Sequence, residues 1–489
     1  MPDPFLTTSL DDLLSDHRAS ETGHAFGLFH RAAKDVPAYR KFLTERGMNP
    51  DATLNIRDFS HVPLTGKANY MQAFPLSERC WGGRLDACDR VAVSSGSTGV
   101  PMFWPRSACH EADVAVRFEQ VFRDGFQAHR RTTLGVICFA LGNWVGGIYT
   151  ASCLWLLAQK GYRLTVATPG NNKAEIIRVV RELAPCYEQT VLLGYPPFVK
   201  DVIDGGVEAG IDWSGYRVKT VFAGEVFSEE WRTLISRRTG SQHPCYDSAS
   251  LYGTADGGVL GNETPLSIAI RRFLAARPEA ARELFGESRL PTLVQYDPYS
   301  RYFECHEGTL VVTGDNGVPL IRYHIADKGG VLTYAEMRAF LHDHGAESLA
   351  EFGLDESREV RNLPFVYVFG RADFTISYYG ANIYPENVTV GLEKPELMAL
   401  VTGKFVLEAP EAESGDKRLV LTVELAHGVT ADAALAAKIA ETVRRELLRL
   451  NSEFAHYTPA DKQLPVVILR PCGDPEYFPV GVKHRYTRR

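Results

Sequence analysis

The chain has 489 residues, of which 45% are hydrophobic, 23% charged and 11% aromatic. This length exceeds what a single hydrophobic core usually holds, and the composition excludes a disordered or fibrous protein. A formal net charge of −7 provides no basic footprint for a polyanion, so we expect no nucleic-acid partner.

The N-terminal region is predicted to be helical, because apolar side chains recur at helical spacing between positions 25 and 36 until Pro37 ends the pattern. The polar, acidic start lacks the features of a secretory signal. The nine cysteines are scattered without a CxxC pair. We therefore expect reduced thiols and a cytoplasmic location.

Short β-branched runs alternate with helical patterns through the middle of the chain, which predicts parallel βαβ units and an α/β fold. These runs are residues 90–93, 134–139, 164–167, 190–193 and 219–222. Residues 132–159 carry no charge, but a glycine-rich stretch at 142–147 divides them into a buried strand, a turn and a buried helix. No membrane span is expected.

The pattern of predicted strands and helices changes after residue 370. Two strand-like runs, at 405–407 and 419–425, precede a helix with one apolar face and a last strand at 466–469. A β-β-α-β unit of this size can form its own small core. We therefore expect a large N-terminal domain of residues 1–369 and a small mobile α+β domain of residues 370–489.

The sharpest local motif is a serine- and glycine-rich loop directly after the run at 90–93. Its hydroxyl and amide groups can converge on phosphate oxygens, although the lysine-containing ending of a Walker A loop is absent. A surface turn is the alternative if this motif stood alone. The loop residues are Ser94, Ser95, Gly96, Ser97, Thr98 and Gly99.

Further motifs follow in a fixed order along the chain. They are Ala223-Gly224-Glu225, Tyr252-Gly253-Thr254-Ala255-Asp256, Glu307-Gly308-Thr309, Arg322-Tyr323-His324-Ile325-Ala326-Asp327 and Gly370-Arg371-Ala372-Asp373. With the serine-rich loop, this series resembles the adenylate-forming superfamily, in its phenylacetate-CoA ligase branch, whose phosphate loop has the form SSGTTGKP. Val100 departs from the family lysine at that loop.

The resemblance implies an ATP-dependent ligase that converts a small carboxylic acid into its acyl-adenylate. The acyl group would then pass to an acceptor, for which family membership favours CoA. A carrier-protein thiol, or a small-molecule hydroxyl or amine in secondary metabolism, is the alternative acceptor. A homodimer is compatible with the sequence.

The resemblance also assigns residues to the nucleotide. Tyr252 would stack on adenine, with the backbone of Gly224 and Glu225 on the other side. Gly253 and Thr254 would lie at the phosphates, and Asp327 would accept both ribose hydroxyls.

The resemblance assigns metal binding and catalysis to a second set of residues. Asp256 stands where the family has a glutamate that holds Mg²⁺. Arg371 and Asp373 match the family hinge, where the arginine would face phosphate or the acceptor and the aspartate would be the pivot of the small domain. Lys483 resembles the C-terminal lysine, whose ammonium would stabilise negative charge during adenylation.

The acid pocket is expected to combine aromatic and small side chains, which favours a flat aryl acid over a long fatty chain. The resemblance places in it Phe139, Gly142, Asn143, Trp144, Gly147, Tyr195, Tyr246 and Ser250.

Two further hypotheses stay open. His243 with Cys245, and Cys305 with His306, have ligand-like spacing and could together hold a Zn²⁺ ion, although ordinary buried thiols and histidines explain them more simply. Departures from the family pattern at Val100, Ala255 and Phe374 also allow a nucleotide-binding protein that no longer catalyses.

Overall fold

A computed structural model describes most of the chain. The described residues are 4–15, 21–52, 56–93, 102–143, 145–287, 290–371, 376–379, 381–410, 417–451, 454–455, 458–479, 484 and 486–487.

Within this part of the chain, 11 strands form one large sheet in the order β10-β11-β12-β13-β9-β8-β7-β6-β5-β3-β4. The strands are β3 (Thr133–Ile137), β4 (Leu164–Ala167), β5 (Gln189–Gly194), β6 (Val218–Ala223), β7 (Ser248–Thr254), β8 (Gly258–Asn262), β9 (Thr292–Gln295), β10 (Arg301–His306), β11 (Thr309–Gly314), β12 (Leu320–Leu332) and β13 (Phe365–Arg371). Strands β3 to β7 pair in parallel, and the others pair antiparallel.

Helices cover both faces of the parallel strands. The helices are α1 (Pro4–Thr7), α2 (Leu10–Ser15), α3 (Glu21–Asp35), α4 (Pro37–Glu45), α5 (Leu76–Arg79), α6 (Ala108–Gln120), α7 (Val145–Gln159), α8 (Lys173–Leu183), α9 (Pro196–Glu208), α10 (Glu229–Arg238), α11 (Pro244–Asp247), α12 (Pro265–Ala276), α13 (Pro278–Phe285), α14 (Tyr334–Asp343), α15 (Pro385–Leu392) and α16 (Ala433–Leu450). Leu134 and Val136 pack with α8 and α9, whereas Ile137 packs with α6 and α7 on the other face.

The predicted α/β fold is confirmed, with one correction. Four of the predicted runs are the parallel strands β3 to β6. The run at 90–93 is a strand, β1 (Arg90–Val93), but it pairs antiparallel with β2 (Phe103–Arg106) outside the large sheet. A strand-like run predicts extended backbone, whereas its partner is chosen by tertiary contacts.

The predicted small unit is also present. Strands β16 (Val401–Glu408), β17 (Val420–Leu425) and β18 (Val466–Arg470) pair in that order, and α16 packs with them. The boundary at residue 370 stays a prediction, since residues 370 and 371 still belong to β13 of the large sheet. Within the described ranges, none of the helices has the length and apolar character required to cross a bilayer.

Candidate active site

The carboxyl ends of the parallel strands gather several residues that the sequence assigned to the site. Tyr195 directly follows β5, Gly224 follows β6, and Tyr252 and Thr254 end β7. Ligands of open α/β sheets bind outside this edge, because loops from neighbouring strands converge there. We refer to it as the carboxyl edge.

Phe139 and Tyr195 form an aromatic wall at the carboxyl edge. Their ring centroids are 5.0 Å apart and the rings are perpendicular. Gly224 has φ +86°, and a Cβ there would lie 2.8 Å from the Tyr195 ring, so this position requires glycine. Burial raises the pKa of Tyr195 to about 12, which keeps its hydroxyl protonated at neutral pH.

The glycine-rich stretch at 142–147 lies beside this wall. Helix α7 approaches the end of β3 so closely that a Cβ on Gly147 would stand 2.2 Å from the Ala140 carbonyl oxygen. The Val93 amide donates to the Asn143 carbonyl oxygen at 2.8 Å. The end of β1, which leads into the predicted phosphate loop, is thus tied to the predicted acid pocket.

Tyr252 and Asp327 form a buried pair. The Tyr252 hydroxyl donates to Asp327 Oδ2 at 2.8 Å, and both residues are less than 10% exposed, at 8% and 6%. The Tyr252 ring packs near Phe303, with centroids 6.4 Å apart. The proposed adenine and ribose residues are therefore held together, although 75 positions separate them in the sequence.

Hydrogen bonds stabilise the turn after β7. Arg106 Nη2 donates to the Ala255 carbonyl oxygen at 2.6 Å, and the Thr254 hydroxyl accepts from the Gly257 amide at 2.9 Å. Asp256 is buried and forms no ion pair with any described residue. A buried carboxylate without a cation fits a Mg²⁺ ion that keeps most of its ligands from water and phosphate.

Tyr486, near the C-terminus, reaches the carboxyl edge. The Tyr486 hydroxyl donates to Glu225 Oε2 at 2.6 Å. This contact could not be predicted from the sequence, since the only signal for Tyr486 is one aromatic side chain in a basic tail. Arg106 was missed for a similar reason, because a single arginine in a strand predicts no specific role.

Some assigned residues lie beyond what the structure describes. Arg371 ends β13 opposite Asp327, and only its backbone is described. The residues outside the described ranges are Ser94, Ser95, Gly96, Ser97, Thr98, Gly99, Trp144, Asp373 and Lys483.

Tyr246 does not belong to the acid pocket. It lies in α11 before β7, where its hydroxyl accepts from the Asp355 amide at 3.0 Å and its ring faces Arg358 at 4.1 Å. This is the amino edge of the parallel strands, opposite the carboxyl edge. Ser250 lies midway along β7, and its amide donates to the buried Glu263 carboxylate at 2.7 Å.

The predicted zinc site is wrong, because its four residues are not brought together. No group of three or more potential ligands that could hold a metal ion exists among the described residues. Cys245 is buried, and its pKa is raised to about 12 by burial, which disfavours a thiolate ligand. Cys305 and His306 lie on β10, whereas His243 and Cys245 lie just before β7. These two strands are six positions apart in the sheet, which corresponds to roughly 29 Å.

Two known proteins are similar to the chain in sequence. The chain is 21% identical over 471 residues to the phenylacetate-coenzyme A ligase of Aromatoleum evansii, covering 89% of this chain and 92% of that protein. It is 22% identical over 341 residues to the phenylacetate-coenzyme A ligase of Escherichia coli K12, covering 66% and 68%. No family model matches the chain.

Solved structures share its fold. Crystal structures of 2-hydroxyisobutyryl-CoA ligase superpose with a TM-score of 0.64 in the postadenylation state and 0.52 in an open conformation. Identity is 16% in both cases, and the matches cover 97% and 96% of this chain and 90% of the other.

The chain therefore shares the fold of 2-hydroxyisobutyryl-CoA ligase and is similar in sequence to two phenylacetate-coenzyme A ligases, which confirms the predicted resemblance.

Proposed function

We propose that this protein activates a small, aromatic carboxylic acid with ATP and passes the acyl group to CoA. Attack of a carboxylate oxygen on the α-phosphorus would form acyl-AMP and release pyrophosphate. The CoA thiol would then displace AMP, because an acyl-adenylate is a far better acylating agent than a carboxylate.

The observation that carries the proposal is the buried Tyr252–Asp327 pair at the carboxyl edge. Its hydroxyl-to-carboxylate bond fixes Asp327, whose carboxylate would accept the ribose hydroxyls. Adenine would stack near the Tyr252 ring, with Gly224 and Glu225 opposite. The Phe139–Tyr195 wall adjoins this place and suits a flat acyl group.

Other residues would supply charge. Asp256 would hold Mg²⁺, which neutralises phosphate charge in such reactions. Lys483 would stabilise the negative charge that develops on the carboxylate and the α-phosphate. Since Val100 offers no cation in the phosphate loop, Mg²⁺ and loop amides would carry more of this neutralisation.

ATP–pyrophosphate exchange tests the first half-reaction. Benzoic, hydroxybenzoic, aminobenzoic, phenylacetic and medium-chain fatty acids form the panel, and CoA is then added to the best acid. We expect strong exchange with one aryl acid, followed by AMP release and thioester on addition of CoA. Exchange without thioester would favour a carrier protein or a small hydroxyl or amine as acceptor, and ATP binding without exchange would favour the non-catalytic alternative.

Lys483→Ala separates the half-reactions. We expect it to abolish exchange while sparing thioester formation from preformed acyl-AMP. Equal loss of both steps would contradict the role assigned to Lys483.

A further inference from the structure

Residues 484, 486 and 487 lie against the small sheet. The Leu407 amide of β16 donates to the Tyr486 carbonyl oxygen at 2.8 Å, and Thr487 forms a parallel bridge with Leu407. The Tyr486 ring packs 4.9 Å from the Phe405 ring and 4.5 Å from the His484 ring. The ring is therefore held by the small unit, while the hydroxyl reaches out of it.

That hydroxyl meets the large sheet at Glu225. It donates to Glu225 Oε2 at 2.6 Å, a short bond to a carboxylate. Burial, and the neighbouring carboxylates led by Glu225, hold the pKa of Tyr486 well above its usual value. The phenol therefore stays a donor over the working pH range.

Other polar contacts among the described residues also join the small unit to the large one. The Ser228 hydroxyl donates to the Glu393 carboxylate, and Lys404 Nζ lies 3.0 Å from Asp201 Oδ2. Tyr486 differs from both, because its partner directly follows Gly224 and belongs to the backbone proposed to face adenine.

We propose that Tyr486 is a positioning residue of the adenylation step, which docks the C-terminal segment onto Glu225 beside the nucleotide. Lys483 stands three residues earlier, and three residues of extended chain span at most about 11 Å. Docking of Tyr486 therefore limits how far the proposed catalytic lysine can stand from the carboxyl edge. The inference rests on the proposed function.

The bond links two units that must separate if the small unit rotates for transfer. Its contribution would then be present during adenylation and absent during thioester formation. A residue that only supports folding would affect both steps alike, so the ratio of the two half-reactions is diagnostic.

Tyr486→Phe removes the hydroxyl and keeps the ring between Phe405 and His484. The matched control is Tyr378→Phe, which removes a hydroxyl bonded to the Lys462 carbonyl oxygen at 2.9 Å within the small unit. Each variant is assayed for ATP–pyrophosphate exchange and for thioester formation from preformed acyl-AMP. Amide hydrogen exchange of β16 is measured without substrate.

For Tyr486→Phe we expect exchange to fall on the order of tenfold, as for a lost bond to a charged group, with thioester formation unchanged. Faster amide exchange in β16 should accompany this loss. The control should change neither half-reaction, and Glu225→Gln, which keeps an acceptor oxygen, should be milder than Glu225→Ala.

Equal losses in both half-reactions, or unchanged ATP–pyrophosphate exchange, would overturn the positioning role. Unchanged amide exchange of β16 in Tyr486→Phe would overturn the docking itself. If the wild-type chain activates no acid, the proposed function fails and the positioning role with it, whereas amide exchange still decides whether Tyr486 docks the segment.

Discussion

Two tyrosines at opposite ends of strand β7 have different surroundings. Tyr252, near the carboxyl end, donates to Asp327 within the candidate site, whereas Tyr246, before the amino end, bonds to the backbone at Asp355. Seven residues of strand span roughly 23 Å, so sequence neighbours at the two ends cannot share one pocket. Position along the strand, rather than residue type, separates the tyrosine proposed to bind the nucleotide from the structural one.

The two edges also differ in what covers them. Segments that follow β5 and β6 at the carboxyl edge contact the small unit through Asp201, Glu225 and Ser228. Near the amino edge, Cys245 and Tyr246 contact the backbone at Phe352 and Asp355, which belongs to the large unit. A covering unit that contacts the edge where we propose that the nucleotide binds can be coupled to catalysis, whereas contacts at the other edge are expected to affect stability.

The largest expected effect is at the carboxyl edge. Asp327→Ala should raise KM for ATP by on the order of tenfold with a smaller effect on kcat, since ribose contacts exist in the ground and transition states alike. It also removes the acceptor of a buried hydrogen bond, which costs about 1–3 kcal/mol of stability. Tyr252→Phe, which keeps the ring, should change KM far less. An unchanged KM for ATP in Asp327→Ala would require another ribose ligand.

An intermediate effect is expected where the small unit meets the carboxyl edge. Burial raises the pKa of Glu393 to about 8 from an ordinary value of 4.5. Between pH 4.5 and 8, Glu393 therefore keeps its proton in the folded protein and loses it in the unfolded chain. The contribution of Glu393 to the free energy of unfolding is therefore full below pH 4.5 and is lost as the pH rises through 8. The slope is at most about 1.4 kcal/mol per pH unit.

Thermal unfolding between pH 5 and 9 measures this contribution. Glu393→Gln should remove the decline with pH, while Glu45→Gln, at a carboxylate with a 51% exposed side chain, should leave it unchanged. Parallel pH curves for wild type and Glu393→Gln would contradict the assignment.

The smallest effect is expected at the amino edge. Tyr246→Phe removes a hydroxyl that accepts from the Asp355 amide, which should cost about 1 kcal/mol in unfolding free energy. Both kcat and KM should stay unchanged in steady-state assays. A raised KM for the acid would show that Tyr246 contributes to acid binding, and would contradict the difference between the two edges.

Much of this protein could be predicted from its sequence. Alternating β-branched and helical patterns gave the parallel strands β3 to β6, because buried parallel strands need continuous apolar runs. Gly224, Tyr195 and Tyr252, which the resemblance assigned to the nucleotide and the acid, lie at one edge, since each follows or ends a parallel strand and such ends converge.

Tertiary structure alone decided the rest. Tyr486 meets Glu225 across 261 positions, and no local pattern encodes a contact of that separation. The pairing of β1 with β2, the separation of Cys245 from Cys305 and the place of Tyr246 depend on strand order and direction. The sequence by itself determined which segments are strands and which motifs they carry, because these follow from local periodicity and residue chemistry. The packing of distant segments determined which of those residues meet.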